Sequence, residues 1–225
     1  CSVAAQPLTT ALGLMSKISL NLQIMKILEP AYAPCPGFAG ACFDMRWDPE
    51  TGHVPRGFRG ATGTLAEIEL VLVYAEPGDP QPGETHEGLT SAYEFAHRSF
   101  ASGTDLFHRN VGFILDSCWP KLSLQEQLRK VWMTESVLCS ATNEGGHVRG
   151  QVAKECGKRY LLKQLELLPD ALVVALGNKA RDRLVGLGFL NFLAVKSVAP
   201  PGCNFRGARE SWNRIAERLK ARDEA

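Results

Sequence analysis

The sequence predicts an α/β fold, a three-layer α/β/α sandwich built on a central parallel sheet of about four strands. Two observations carry this. Four short apolar runs punctuate the 225 residues, and most are followed by a loop and a helix-patterned segment rather than by a second strand. The composition is globular, 45% hydrophobic and 22% charged, which excludes a disordered or fibrous chain and suits one domain over residues 1–225.

In chain order, Leu14 to Leu28 is the nearest approach to a membrane span, but Lys17, Asn21, Gln23 and Lys26 break it well short of the roughly 18 apolar residues needed. Met15, Ile18, Leu22 and Met25 are spaced as one face of an amphipathic helix, so residues 1–30 read as an N-terminal helix and no membrane partner is expected. Cys1 stands where an initiating Met is usual, which leaves room for residues ahead of it, and no lipobox supports a lipidated cysteine. Pro30 to Gly63 is rich in Gly and Pro and reads as irregular.

The four strands follow: Ile68–Ala75 (IELVLVYA), Val131–Val137 (VWMTESV), Ala171–Leu176 (ALVVAL) and Phe192–Val198 (FLAVKSV). Between them, Ser91 and Glu94 form a capping box opening a helix towards Phe100. Val152, Leu161, Leu165 and Leu168 keep helical spacing over Gln151–Leu168, and Lys179–Leu187 is a helix stopped by Gly188. Gly207–Lys220 is a charged helix with Trp212 and Ile215 on one side. Ligands of parallel sheets bind beyond the carboxyl ends of the strands, which gathers the loops 76–86, 135–145, 177–180 and 199–206 into one crevice.

Charge and cysteine content narrow the chemistry. Twenty-five basic against 24 acidic residues give +1, so no global field recruits a polyanion and a nucleic-acid surface must be a local, salt-sensitive patch. Seven cysteines, an odd number, argue against a closed disulfide framework and for metal ligation in a cytoplasmic protein. Cys35 and Cys42 are separated by six residues, Cys139 and Cys156 by sixteen. Two such pairs suit tetrahedral zinc or an iron–sulfur cluster. Cys1, Cys118 and Cys203 read as free thiols.

Two acidic positions fall at strand ends. Glu76-Pro77-Gly78-Asp79 places two carboxylates and a glycine after a buried strand, where a carboxylate can orient a water or stabilise a developing cation; the plainer reading is an acidic turn. Glu135 ends the second apolar run and is costly to bury without a partner, an arginine being the ordinary one.

Ile68–Asp79 (IELVLVYAEPGD), Val131–Cys139 (VWMTESVLC), Cys156–Ala180 (CGKRYLLKQLELLPDALVVALGNKA) and Ala199–Trp212 (APPGCNFRGARESW) stand in the order found in the uracil-DNA glycosylase superfamily. The chain resembles most closely its iron–sulfur-containing bacterial and archaeal members, over about Cys35 to Lys220, and most specifically in the block from Cys156 to Ala180. The resemblance implies a 4Fe-4S cluster held by Cys35, Cys42, Cys139 and Cys156. It aligns Tyr74, Ala75, Glu76, Pro77 and Gly78 with the family's water-holding loop, with Tyr74 in place of a leading glycine. Glu76 falls where several families carry a catalytic Asp or Asn, and Asp79 of the same turn is a second catalytic candidate.

The family's uracil-reading asparagine falls on Glu135. An asparagine both donates and accepts, whereas an ionised carboxylate only accepts. Glu135 must therefore be protonated, as burial favours, or read bases that carry an amine or imino donor. The histidine that stabilises charge on uracil O2 is replaced by Ala199, a loss worth roughly 10²–10³ in rate unless another group compensates. His86 is a candidate, and so are His97 and His108; the plainer reading of each is a surface or helix-packing histidine. The insertion before the second strand carries Tyr93, Phe95, His97, Arg98, His108 and Arg109, some of which could stack on the base or hold phosphates.

In the last motif, Pro200, Pro201, Gly202, Asn204, Phe205 and Arg206 are expected to contact DNA, Phe205 as a wedge and Arg206 on a phosphate or the orphaned base. The expectation is a monomeric, monofunctional glycosylase acting on DNA that contains uracil or abasic sites. The rivals are a relative that binds such DNA tightly or covalently without turnover, and a zinc-binding structural domain.

Overall fold

The computed structural model describes residues 20–103 and 105–224; Cys1, Met15 and Ile18 lie outside them. Five strands form one sheet: β1 (Arg59–Gly60), β2 (Leu70–Tyr74), β3 (Val131–Glu135), β4 (Leu172–Leu176) and β5 (Leu193–Val195), in the order β1-β3-β2-β4-β5. The four strands read from the sequence are mutually parallel. The fifth corrects that expectation: β1 is a two-residue edge strand that pairs antiparallel with β3, Arg59 opposite Met133. It follows Gly57 and is followed by no apolar run, so it carries no alternation to detect. Gly60 takes φ +86°, and a Cβ there would lie 2.0 Å from the Val131 carbonyl oxygen, a contact only glycine permits.

Every residue of β2, β3 and β4 is buried, as expected of strands covered on both faces. Val71, Val73 and Trp132 point into one apolar layer, and Leu70, Leu72, Val131 and Met133 into the other. The first layer is closed by α1 (Leu22–Leu28), α5 (Gly150–Cys156), α6 (Leu162–Glu166) and α7 (Asn178–Gly186), the second by α3 (Leu106–Cys118) and α8 (Ala208–Asp223). Three helices, α2 (Leu89–Ser102), α3 and the short α4 (Leu124–Lys130), occupy the insertion between β2 and β3.

The capping box expected at Ser91 and Glu94 is not formed. The helix, α2 (Leu89–Ser102), begins earlier, Ser91 Oγ bonds the Gly88 backbone, and Glu94 turns to Arg98. The helix expected over Gln151–Leu168 is interrupted by a π-turn at Gly157–Leu161, a widening often found beside functional sites. Among the described residues no helix is long and apolar enough to cross a membrane.

Candidate active site and thiol cavity

The parallel register sets Tyr74 beside Glu135. Two residues past Tyr74, the chain delivers Glu76 above the sheet, where Ser136 and Val137 have already tied the β3 exit to the β2 exit through Tyr74 O (2.9 Å) and Ala75 O (3.1 Å). Glu76 and Glu135 thus stand at the same end of neighbouring strands. Burial, and then the charge of Glu76, push the Glu135 carboxyl up to about 8, against opposing pulls from Arg59, Arg183 and Arg56. Gly57, at φ +87°, leaves room for it: a Cβ there would lie 3.2 Å from Glu135 Oε1.

Glu76 is almost fully buried and faces α7. Its Oε1 accepts from Lys179 Nζ at 2.5 Å, while Arg183 stands 2.5 Å from Oε2 without the alignment of a hydrogen bond. Arg183 is in turn fixed by Ala75 O (2.6 Å) and Ser136 Oγ (3.0 Å). Lys179 spends its other two protons on Gly145 O (2.9 Å) and Gly146 O (2.8 Å), tying the 143–147 loop to the acid. Glu144 of that loop lies against Gly78, where a Cβ would meet its Oε1 at 2.5 Å.

The remaining sequence-derived candidates divide. Asp79 is half-exposed, with Arg46 at 3.3 Å and His53 Nε2 at 3.5 Å. His86 is buried and bonded through Nε2 to Glu84 at 2.7 Å, its ring edge-on to Phe95. Tyr93 donates to Gly60 O (2.5 Å) inside the core. His97, pushed down to about 4 by burial, donates from Nδ1 to Tyr93 O (3.1 Å) and takes the Gly60 N–H at 3.5 Å. His108 links Asp105 to Arg59. These side chains are committed to the fold, and Arg98 and Arg109 are surface residues. Pro77 is buried under the loop; Pro200, Pro201, Asn204, Phe205 and Arg206 are exposed, with Gly202 half-buried between them.

The arginines of Arg56-Gly57-Phe58-Arg59 were not read as site residues. Arg56 is buried and donates to Gly78 O, Ser140 Oγ (3.3 Å), Gly52 O and Val54 O (both 3.2 Å), holding the Gly78 turn in place. Arg59 lies between the Phe100 and Phe107 rings and donates to Ala96 O at 3.0 Å. Two arginines three apart around a glycine, in an otherwise irregular segment, were the available signal. Lys179 occupied an unassigned position of the block ending at Ala180.

Among the described residues, four buried side-chain polar atoms have no hydrogen-bond partner: His53 Nε2, Tyr74 Oη, Glu76 Oε2 and Glu135 Oε2. All belong to the carboxyl ends of β2 and β3 or to the segment facing them. Such groups cost free energy unless something else satisfies them.

Cys35, Cys42, Cys139 and Cys156 line one small cavity, of about 20 Å³, with Leu138, Glu155, Arg159 and Tyr160. Burial and the mutual proximity of the thiols push Cys42 up to about 11 and Cys156 up to about 12. Backbone N–H groups already point at two of the sulfurs, Leu138 N at Cys156 Sγ (3.3 Å) and Gly37 N at Cys35 Sγ (3.4 Å). Among the described residues no three His, Cys, Asp or Glu side chains are gathered into a group that could hold a metal ion; four thiols are a donor set that suits tetrahedral zinc or an iron–sulfur cluster. Cys118 and Cys203 are free and lie elsewhere.

Neither models of known protein families nor curated protein sequences match this chain.

Proposed function

We propose that the protein is a monofunctional DNA glycosylase that hydrolyses the N-glycosidic bond of an extruded uracil, or another deaminated base, leaving an abasic site. The observation that carries this reading is the set of buried atoms without a hydrogen-bond partner at one strand-end crevice, two of them carboxyl oxygens, of Glu76 just past β2, where it is ion-paired with Arg183, and of Glu135 at the end of β3. Glu76 Oε2 has a lone pair for a water, and the carboxylate's charge would favour the cationic sugar of the transition state. The water adds to C1′ as the C1′–N bond breaks; its proton passes to Glu76 and the departing base leaves with the bonding pair.

Glu135, neutral below about 8, offers one O–H donor and one carbonyl acceptor. That matches the O4 acceptor and N3–H donor of uracil as an amide would. The Tyr74 hydroxyl, kept protonated by burial and without a partner, would supply the donor lost at Ala199. His86 does not fit that role, being bonded to Glu84.

The four thiols would hold a 4Fe-4S cluster. When bound, it serves as a covalent staple between the Cys35–Cys42 turn and the β3–α5 connection.

Oligonucleotides carrying a single uracil, hypoxanthine or xanthine, single-stranded and duplex, test the reading under single-turnover conditions. Release of free base with an alkali-labile site is expected. Retained binding of these strands without base release would instead make the protein a non-catalytic binder.

A further inference from the structure

Phe43, one residue beyond a cluster thiol, is 67% exposed. An exposed aromatic held still is unusual, and Phe43 is held. The Arg149 guanidinium lies 4.4 Å from its ring centroid and is itself fixed by Asp44 through two bonds of 2.9 Å and by Ala41 O at 2.8 Å. One face of the ring is therefore covered by a cation and the rest is open.

The position is also specific. Asp44 O accepts from Thr142 (2.7 Å), Arg46 N bonds Ser140 O (2.9 Å), and Ser140 Oγ bonds Gly78 O (3.1 Å). These bonds seat Phe43 on the β3 side of the crevice, with Arg46 and Lys179 as partly exposed cations on the same rim. Phe205, 61% exposed with Lys196 Nζ 5.5 Å from its ring centre, stands past β5 on the other side. In the order β3-β2-β4-β5 the acidic crevice lies between the two rings. The surroundings of Phe43 are charged rather than apolar, which does not suit the dry centre of a protein–protein contact. Ring faces beside fixed cations do suit unpaired bases and their phosphates.

We infer that Phe43, on its Arg149 support, is a stacking platform for an unpaired base flanking the target, so that the ligand of this rim is single-stranded DNA. This deepens the glycosylase reading by naming the form of its substrate, but its test does not depend on base release.

Fluorescence anisotropy with labelled DNA free of damaged bases separates the two. Phe43→Ala should weaken single-strand binding about tenfold, leave duplex binding within about twofold, and leave the slope of affinity against salt unchanged, because no phosphate contact is lost. Phe43→Trp should bind single strands at least as tightly as the parent. Arg46→Ala, by contrast, should lower the salt slope by about one charge. Equal losses on both DNA forms, no loss on either, or a parent protein that does not bind single strands would each overturn the inference. Phe43-dependent binding without excision would sink the glycosylase reading alone; excision indifferent to Phe43→Ala would sink this one alone.

Discussion

Tyr74 and Glu135 are register partners on the two central parallel strands, and each carries a buried polar atom with no hydrogen-bond partner. The pairing follows from strand geometry: both residues fall on the face shared by Leu72 and Met133, at the last rung before the chain turns out of the sheet. A tyrosine and a glutamic acid there present an O–H and a neutral carboxyl to the same space.

The Glu135 carboxyl titrates at about 8 in the fold and at about 4.3 in an unfolded chain. Below both values the folded state carries no penalty. Between them the unfolded chain releases a proton that the folded chain retains, so stability contributed here is lost as pH rises through about 8. Glu135→Gln should match the parent near pH 4 and exceed it in Tm at pH 9. A Tm difference that is flat with pH would mean that the carboxyl is ionised in the fold. Excision by the parent should likewise fall above about pH 8, and Glu135→Asn should shift the base profile towards uracil; an identical profile would remove Glu135 as a reader.

Tyr74→Phe removes one hydroxyl from a site where that hydroxyl has no internal partner, so folding should be nearly unaffected. If Tyr74 compensates for the histidine absent at Ala199, the single-turnover rate should fall by roughly 10²–10³ with little change in KM. A variant with parental kcat and altered Tm would assign Tyr74 to packing alone.

Lys179 joins Glu76 to the carbonyls of Gly145 and Gly146. Lys179→Met should raise hydrogen exchange across residues 143–147 and slow excision by about 10²-fold through misplacement of the acid, while leaving the visible spectrum unchanged. Unaltered exchange in that loop would show that Lys179 does not hold it.

Anaerobically purified protein should be brown and contain iron and acid-labile sulfide in equal amounts. Serine at Cys35, Cys42, Cys139 or Cys156 should bleach the colour and lower Tm; serine at Cys118 or Cys203 should do neither. A colourless protein with bound zinc would replace the cluster by a structural ion.

The strands and the crevice were legible in the sequence because long buried strands leave uninterrupted apolar runs, and because parallel order alone fixes which loops meet. Glu76 and Glu135 were legible for the same reason, as charges standing where apolar runs end. Arg56, Arg59, Arg183 and Lys179 were not: a buried cation is defined by partners distant in sequence, here Gly78, Ala96, Ser136 and Glu76. The insertion histidines carried no signal that separates a donor from a packing group, and His97 takes the plainer part, a neutral core group serving the backbone of Gly60 and Tyr93. β1 was invisible because two residues carry no period.

The decisive measurement is single-turnover release of uracil from a single-stranded oligonucleotide by the parent and by Glu76→Gln, read beside affinity for the abasic product. The parent should release the base, and the variant should lose release almost entirely while binding abasic DNA within a few-fold of the parent. Equal rates for the two proteins would contradict the assignment of Glu76 as the group that orients the attacking water.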